Sequence, residues 1–190
     1  MKYCSICGEQ VTLKVPVDDT RERYVCISCE TIHYQNPNVV AGCIPVWEDQ
    51  VLLCRRAIEP RYGLWTLPAG FMEMGETSTE AALRETLEEA NARVEIQQLY
   101  VVLNLPQVNQ VYMMFLSKLL DLDFKPGTES LQTALFTQAQ IPWNEIAFRT
   151  IWHTLEFYFE DCRQGRYPLH FGDIVREKDT YHYRDGPAPG

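Results

Sequence analysis

The chain has 190 residues, 46% of them hydrophobic and 12% aromatic, which is enough for one substantial core and a small metal-stapled appendage but too little for two full domains. A net charge of −9 and a pI near 4.9 exclude a nucleic-acid-coating or anionic-membrane role, since both need a cationic surface; small phosphate ligands stay within reach through bound cations. No apolar run approaches the ~20 residues of a membrane span, and Met1-Lys2-Tyr3-Cys4 lacks the apolar stretch of a signal peptide, so a cytoplasmic protein is expected.

The first pattern along the chain is Cys4-x2-Cys7 followed by Cys26-x2-Cys29. Each Cys-x2-Cys turn presents two thiolates to one tetrahedral ion, and two such turns complete a closed site with no open position for water. Two disulfides are the alternative, which a reducing compartment disfavours. Between the knuckles, Val11 to Val25 alternates apolar and polar residues as a hairpin with its turn near Asp18-Asp19-Thr20. Too few apolar side chains lie there to fold unaided, so a structural Zn²⁺ is expected to supply the folding energy. The segment resembles a zinc ribbon. With four thiolates filling the site, His33 reads as a packing or surface residue, and Cys43 and Cys54, in apolar runs, as buried small hydrophobes.

After Asn36-Pro37-Asn38 the spacing predicts strands over Val39 to Val46 and Val51 to Arg55, then a loop through Pro68-Ala69-Gly70. A helix is predicted over Ser78 to Ala90, capped by Thr77 or Ser78, and strands over Val94 to Leu105, Val111 to Leu119 and Gln132 to Phe136. A closing helix from Ile146 to Cys162 ends at Gly165. Asp185-Gly186-Pro187-Ala188-Pro189-Gly190 are breakers with nothing to pack, read as a disordered end. Strands flanked by helices give a layered α/β architecture. No histidine among His153, His170 and His182 has ligand-like spacing, so no histidine general base is expected.

The chemistry concentrates in residues 70–91, GFMEMGETSTEAALRETLEEAN. At about 100° per residue, Glu85, Glu88 and Glu89 share one helix face, with Leu83, Leu87 and Ala90 opposite. Three carboxylates at such spacing repel one another unless a cation joins them, and Mg²⁺, or Mn²⁺, is the natural hard-ion occupant. The spacing Gly-x5-Glu-x7-Arg-Glu-x-x-Glu-Glu, filled by Gly70, Glu76, Arg84, Glu85, Glu88 and Glu89, resembles the signature of the Nudix hydrolases. Asn91 stands where the family usually has glycine and is expected to keep the left-handed turn; Thr86 replaces a usual aliphatic.

The resemblance implies an α/β/α sandwich around a mixed sheet over residues 36–165, preceded by the ribbon at 1–35 and followed by an extension at 166–190. It also implies hydrolysis of nucleoside diphosphates linked to a further group. Glu85, Glu88 and Glu89 would hold the metal, Glu89 or Glu85 would also touch the attacking water, Glu76 could ligate through a water, and a carbonyl at Ala69 or Gly70 is a usual extra ligand. Arg84 is expected to pair with a glutamate, and Glu129, on the loop Pro126-Gly127-Thr128-Glu129-Ser130, is the candidate general base. Arg55, Arg56 and Arg61 could meet phosphates, and Tyr34, Trp65, Tyr112, Trp143 and Phe148 could stack on a base or flavin. A ribbon ahead of such a domain is similar to the NADH pyrophosphatases, but their SQPWPFPxS motif is absent; Asn104-Leu105-Pro106-Gln107-Val108-Asn109 stands in its place. Segments such as His33-Tyr34-Gln35-Asn36-Pro37 and Tyr62-Gly63-Leu64-Trp65 resemble plant organellar FAD/ADP-ribose pyrophosphatases. The expected partner is therefore a small nucleotide, FAD or ADP-ribose, with no nucleic acid and no membrane; a homodimer through the ribbon is one further option. NADH pyrophosphatase or decapping-type activity, or a non-catalytic nucleotide-sensing regulator, are the alternatives.

Overall fold

The computed structural model describes residues 1–177 and 180–186 and divides into two units, 1–37 and 38–190. In the first unit, β1 (Val11–Lys14) and β2 (Arg23–Cys26) form an antiparallel hairpin, and β3 (Ile32–His33) pairs on β2. The Asp19 carboxylate shapes the turn by accepting from the N–H groups of Thr20 and Arg21. The unit has almost no apolar interior: Val25 is buried with Cys4 and Cys26, while Leu13, Val15, Val17 and Ile27 are exposed.

The second unit carries β4 (Asn38–Trp47), β5 (Gln50–Arg56), β6 (Trp65–Thr66), β7 (Ala69–Phe71), α1 (Ser78–Ala90), β8 (Val94–Leu105), β9 (Gln110–Leu119), β10 (Ser130–Phe136), α2 (Arg149–Gln164), β11 (His170–Glu177) and β12 (Thr180–Asp185). Its mixed sheet runs β10-β5-β4-β9-β8-β11-β12, with β6 on β5 and β7 on β4; β4 and β9 are parallel, as are β8 and β11. Side chains alternate across each strand, so neighbouring residues of β4 serve opposite faces. Val40 and Ile44 pack with Ile151 and Leu155 of α2, while Ala41 and Cys43 pack with Ala81 and Ala82 of α1. The result is the α/β/α layering expected from the sequence. Cys43 and Cys54 are buried.

Two features differ from expectation, the start of α2 and the residues after 165, and a third, the buried face of α1, was open in the sequence. Helix α2 starts at Arg149 rather than Ile146, because the Ala147 N–H is committed to the Trp65 carbonyl at 2.8 Å and Ile146 bridges to Trp65. The buried face of α1 is also not its leucine face. Leu83 and Leu87 are 39% and 52% exposed, and the buried residues are Ala81, Ala82, Thr86, Glu89 and Ala90. Small side chains let the helix lie close on the sheet, and the Thr86 hydroxyl is satisfied by the Ala82 carbonyl at 2.7 Å. Finally, residues after 165 add β11 and β12 to the main sheet, in register with β8 from His170 opposite Val101. Of the breaker-rich end, Gly186 donates to the Phe171 carbonyl at 2.8 Å, and residues 187–190 lie outside the described residues.

Candidate active site

Helix α1 is locked at both ends. Thr77 and Glu80 form a capping box at its start, and Asn91 ends it in the left-handed region at φ 48°, with its amide donating to the Lys125 carbonyl at 3.1 Å. That bond also draws the loop before β10 onto the helix end, where the Gly127 N–H donates to the Glu89 carbonyl at 2.9 Å. A Cβ on Gly127 would overlap the Glu88 carbonyl, so glycine is what permits this approach. The loop thereby carries Glu129 into the cleft that the helix carboxylates line.

Arg84 organises the acidic cluster. Its Nε and Nη2 donate to the two oxygens of Glu76 at 2.6 and 3.0 Å, its Nη1 to Glu85 at 2.6 Å and to Glu88 at 3.1 Å, and Nη2 also to the Phe71 carbonyl at 3.1 Å. Glu76 is held down to about 2 by this bidentate contact. The Glu85 carboxylate lies against Gly70, where a Cβ would overlap it, and burial raises its pKa while Arg84 opposes the rise. Glu89 is the most enclosed of the set. Burial pushes it up to about 8 despite a hydrogen bond from the Ala69 N–H at 3.1 Å, with the Glu85 and Glu129 charges adding to the rise and Arg56 countering it. Glu88 is the most exposed, at 58% of its side chain.

These carboxylates line one large cleft of about 1820 Å³ together with Gly70, Arg56, Arg61, Tyr112, Trp143 and Phe148. Arg56 sits midway: its Nε donates to the Pro60 carbonyl at 3.0 Å, its guanidinium lies 5.1 Å from the Phe148 ring, and its charge reaches both Glu89 and Tyr112. Arg55 is turned to the Gly63 carbonyl at 2.8 Å and Trp65 is buried against Phe136 at 4.9 Å, so neither lines the cleft. Tyr34 lies in the first unit, beneath the Arg23 guanidinium. Sequence reasoning missed Arg149, Thr150, Trp152, Ile174 and Tyr181 on the cleft wall. They belong to α2 and to strands beyond residue 165, too far along the chain for any local spacing to connect them to the signature.

In the first unit the four sulfurs of Cys4, Cys7, Cys26 and Cys29 all lie within 4.8 Å of one another. Four thiolates at one point fit a tetrahedral structural Zn²⁺. His33 has a more specific place than packing, with Nε2 3.3 Å from the Cys4 sulfur, in reach to support that thiolate.

Comparison with known proteins agrees with this geometry. The Nudix N-terminal model matches residues 2–35 and the NUDIX domain model residues 36–160. The chain belongs to the Nudix hydrolases, with a zinc ribbon ahead of the hydrolase unit. A solved NUDIX hydrolase from Nitrosomonas europaea is 58% identical, with TM-score 0.90, over 93% of this chain and 100% of that one. NAD-capped RNA hydrolases NudC from Photorhabdus laumondii and Photobacterium profundum are 33% and 30% identical over 49% and 72% of this chain. The chain spans 34% and 50% of their lengths. An ADP-ribose pyrophosphatase from Streptococcus suis shares the fold, at TM-score 0.59 and 23% identity over 72% of this chain and 99% of that one.

Proposed function

We propose that this chain is a Mg²⁺- or Mn²⁺-dependent pyrophosphohydrolase that splits an ADP-containing dinucleotide, FAD or ADP-ribose, into AMP and the partner phosphate. The observation that carries the reading is the Glu85–Glu89 pair, two enclosed carboxylates with raised pKa values set beside Glu88 and Glu129 in an open cleft. Burying carboxylates together destabilises the ionised forms unless a cation compensates. Hard oxygen donors of this kind fit Mg²⁺ or Mn²⁺, with Glu85, Glu88 and Glu89 as the residues that would hold it. Bound there, the ion would neutralise phosphoryl charge and make water a better nucleophile.

The remaining work falls to the chain itself. Arg84 restrains Glu76, Glu85 and Glu88 in one array, and Gly70 leaves room for Glu85. Glu89, or Glu129 from the loop before β10, accepts the proton of the attacking water. Arg56 adds positive charge to the cleft, where a substrate phosphate can meet it. Tyr112, Trp143 and Phe148 offer apolar faces to the nucleoside, and the cleft exceeds the roughly 300–1,000 Å³ of small-ligand sites, which suits a two-part nucleotide. The names of the NudC relatives favour a second reading, in which the split pyrophosphate belongs to an NAD cap, and the NADH pyrophosphatase alternative is the same chemistry on a small molecule.

The test is turnover of the zinc-loaded protein on FAD, ADP-ribose, NADH and ADP-glucose with excess Mg²⁺, beside Glu89→Gln. Cleavage of FAD or ADP-ribose in preference, lost in the variant, supports the proposal. Preferred NADH cleavage selects the second reading, and stabilisation by a nucleotide that is not cleaved returns the sensor.

A further inference from the structure

The first turn of α2 lines the same cleft through Phe148, Arg149, Thr150 and Trp152, and its polar groups are unusually bare. Nothing caps the helix: Phe148 at the N-cap offers no side-chain acceptor, and the first turn has no acidic residue. The N–H groups of Arg149, Thr150 and Ile151 have no acceptor among the described residues; the first bond back to the cap is Trp152 N–H to the Phe148 carbonyl at 3.0 Å. Independently, Thr150 is only 1% exposed and its Oγ1 is the one buried side-chain oxygen or nitrogen without a hydrogen-bond partner among the described residues. That hydroxyl lies beside the Tyr112 phenol on the cleft wall, and no hydrogen bond of acceptable geometry joins the two.

Cations complete the picture. Arg149 belongs to the same turn, its guanidinium 5.9 Å from the Trp152 ring, and the Arg56 guanidinium lies 5.1 Å from the ring of Phe148, the residue at the N-cap itself. Unpaired N–H groups, the positive end of a 16-residue helix, a spare hydroxyl and two arginines together select an anion, and phosphate oxygens match such donors. On the hydrolase reading the carboxylates and their cation take the pyrophosphate, which leaves this position for a different group.

We infer that the first turn of α2, with Arg149, Thr150 and Arg56, holds a phosphate monoester that the substrate carries outside its scissile pyrophosphate. The identity of the ligand as a substrate rests on the pyrophosphohydrolase reading. The substrate class becomes a dinucleotide bearing a further phosphate, and the unphosphorylated counterparts bind less tightly.

The experiment compares KM within two pairs that differ by one phosphate, NADPH against NADH and coenzyme A against 3′-dephospho-coenzyme A, using the full zinc-loaded chain with Mg²⁺. A helix terminus plus charge-assisted bonds supports a preference of about tenfold or more for the phosphorylated member of a pair. The ratio should collapse toward one in Thr150→Val and in Arg149→Ala, whose exposed side chain makes misfolding no concern, and should persist in Thr150→Ser. KM ratios near one in both pairs for the unaltered chain overturn the inference while leaving the hydrolase reading intact. Calorimetric binding of adenosine 2′,5′-bisphosphate and 3′,5′-bisphosphate against AMP separates the two failures. Tighter bisphosphate binding, lost in Arg149→Ala, without cleavage of any dinucleotide keeps the anion position and sinks the hydrolase; equal affinities sink the anion position.

Discussion

At the residue scale, the site depends on carboxylates held where water screens them poorly. Glu89→Gln keeps the shape and an acceptor for the Ala69 N–H but removes the charge, so kcat should fall by about 10²–10⁴-fold, the range for loss of an acid–base or charge-holding group. A steady-state rate within tenfold of the unaltered chain, with [Mg²⁺] saturating, would sink that role. The raised pKa has a further consequence. Glu89 titrates near 4.5 when unfolded and near 8 when folded, so the folded chain binds the extra proton between those values. In chelator-treated protein the stabilisation is complete below about pH 4.5 and is lost as pH rises to about 8. Urea unfolding across that window should show a decline that Glu89→Gln lacks, and the apparent affinity for Mg²⁺ should climb over the same range because the ion needs the ionised form. Glu76 titrates in the opposite sense: its stabilisation by Arg84 is present above about pH 4.5 and is lost as pH falls toward about 2. The six signature residues were legible because they sit within one 20-residue window. The raised pKa of Glu89 was not, since it comes first from burial in the folded chain, with the charge of Glu129, distant in sequence, adding to the rise.

At the element scale, helix α1 shows which parts of a local pattern survive folding. Thr77-x-x-Glu80 and Asn91 state the helix ends, and both take the geometry their chemistry favours. Asn91→Ala should destabilise by about 1–2 kcal/mol, the penalty for a side chain without Asn's tolerance of the left-handed region. It should also loosen Glu129, because the Asn91 amide ties down the Lys125 and Pro126 carbonyls; faster amide exchange at Gly127 would show this, and unchanged exchange would count against it. What the pattern left open is the buried face. The close approach of α1 to Ala41 and Cys43 admits only small residues, and Leu83 and Leu87 turn outward. Helix α2 packs in the opposite manner, through Ile151, Leu155, Tyr158 and Phe159. Leu155→Ala should therefore cost about 2–5 kcal/mol in chemical denaturation, whereas Leu83→Ala, on the exposed face, should shift the midpoint little.

At the scale of the whole molecule, the first unit is organised around its cysteines, with Val25 as the apolar residue buried beside them. Removing Zn²⁺ with a chelator should unfold residues 1–37, seen as rapid amide exchange in β1 and β2, while β8 and β9 stay protected. Retained protection in β1 after complete zinc loss would contradict this. No helix among the described residues is long and apolar enough to cross a membrane. Sequence alone determined the zinc knuckles, the α/β layering and the signature, because each is written in short-range spacing: two residues between thiols, alternation along strands, three and four residues along a helix. Tertiary structure alone decided which face of α1 is buried, how Gly127 brings Glu129 to the carboxylates, and that Thr150 and Arg149 share their cleft. Those outcomes depend on elements that pair across the sheet at long sequence separation, where register and close approach, rather than local spacing, place one residue beside another.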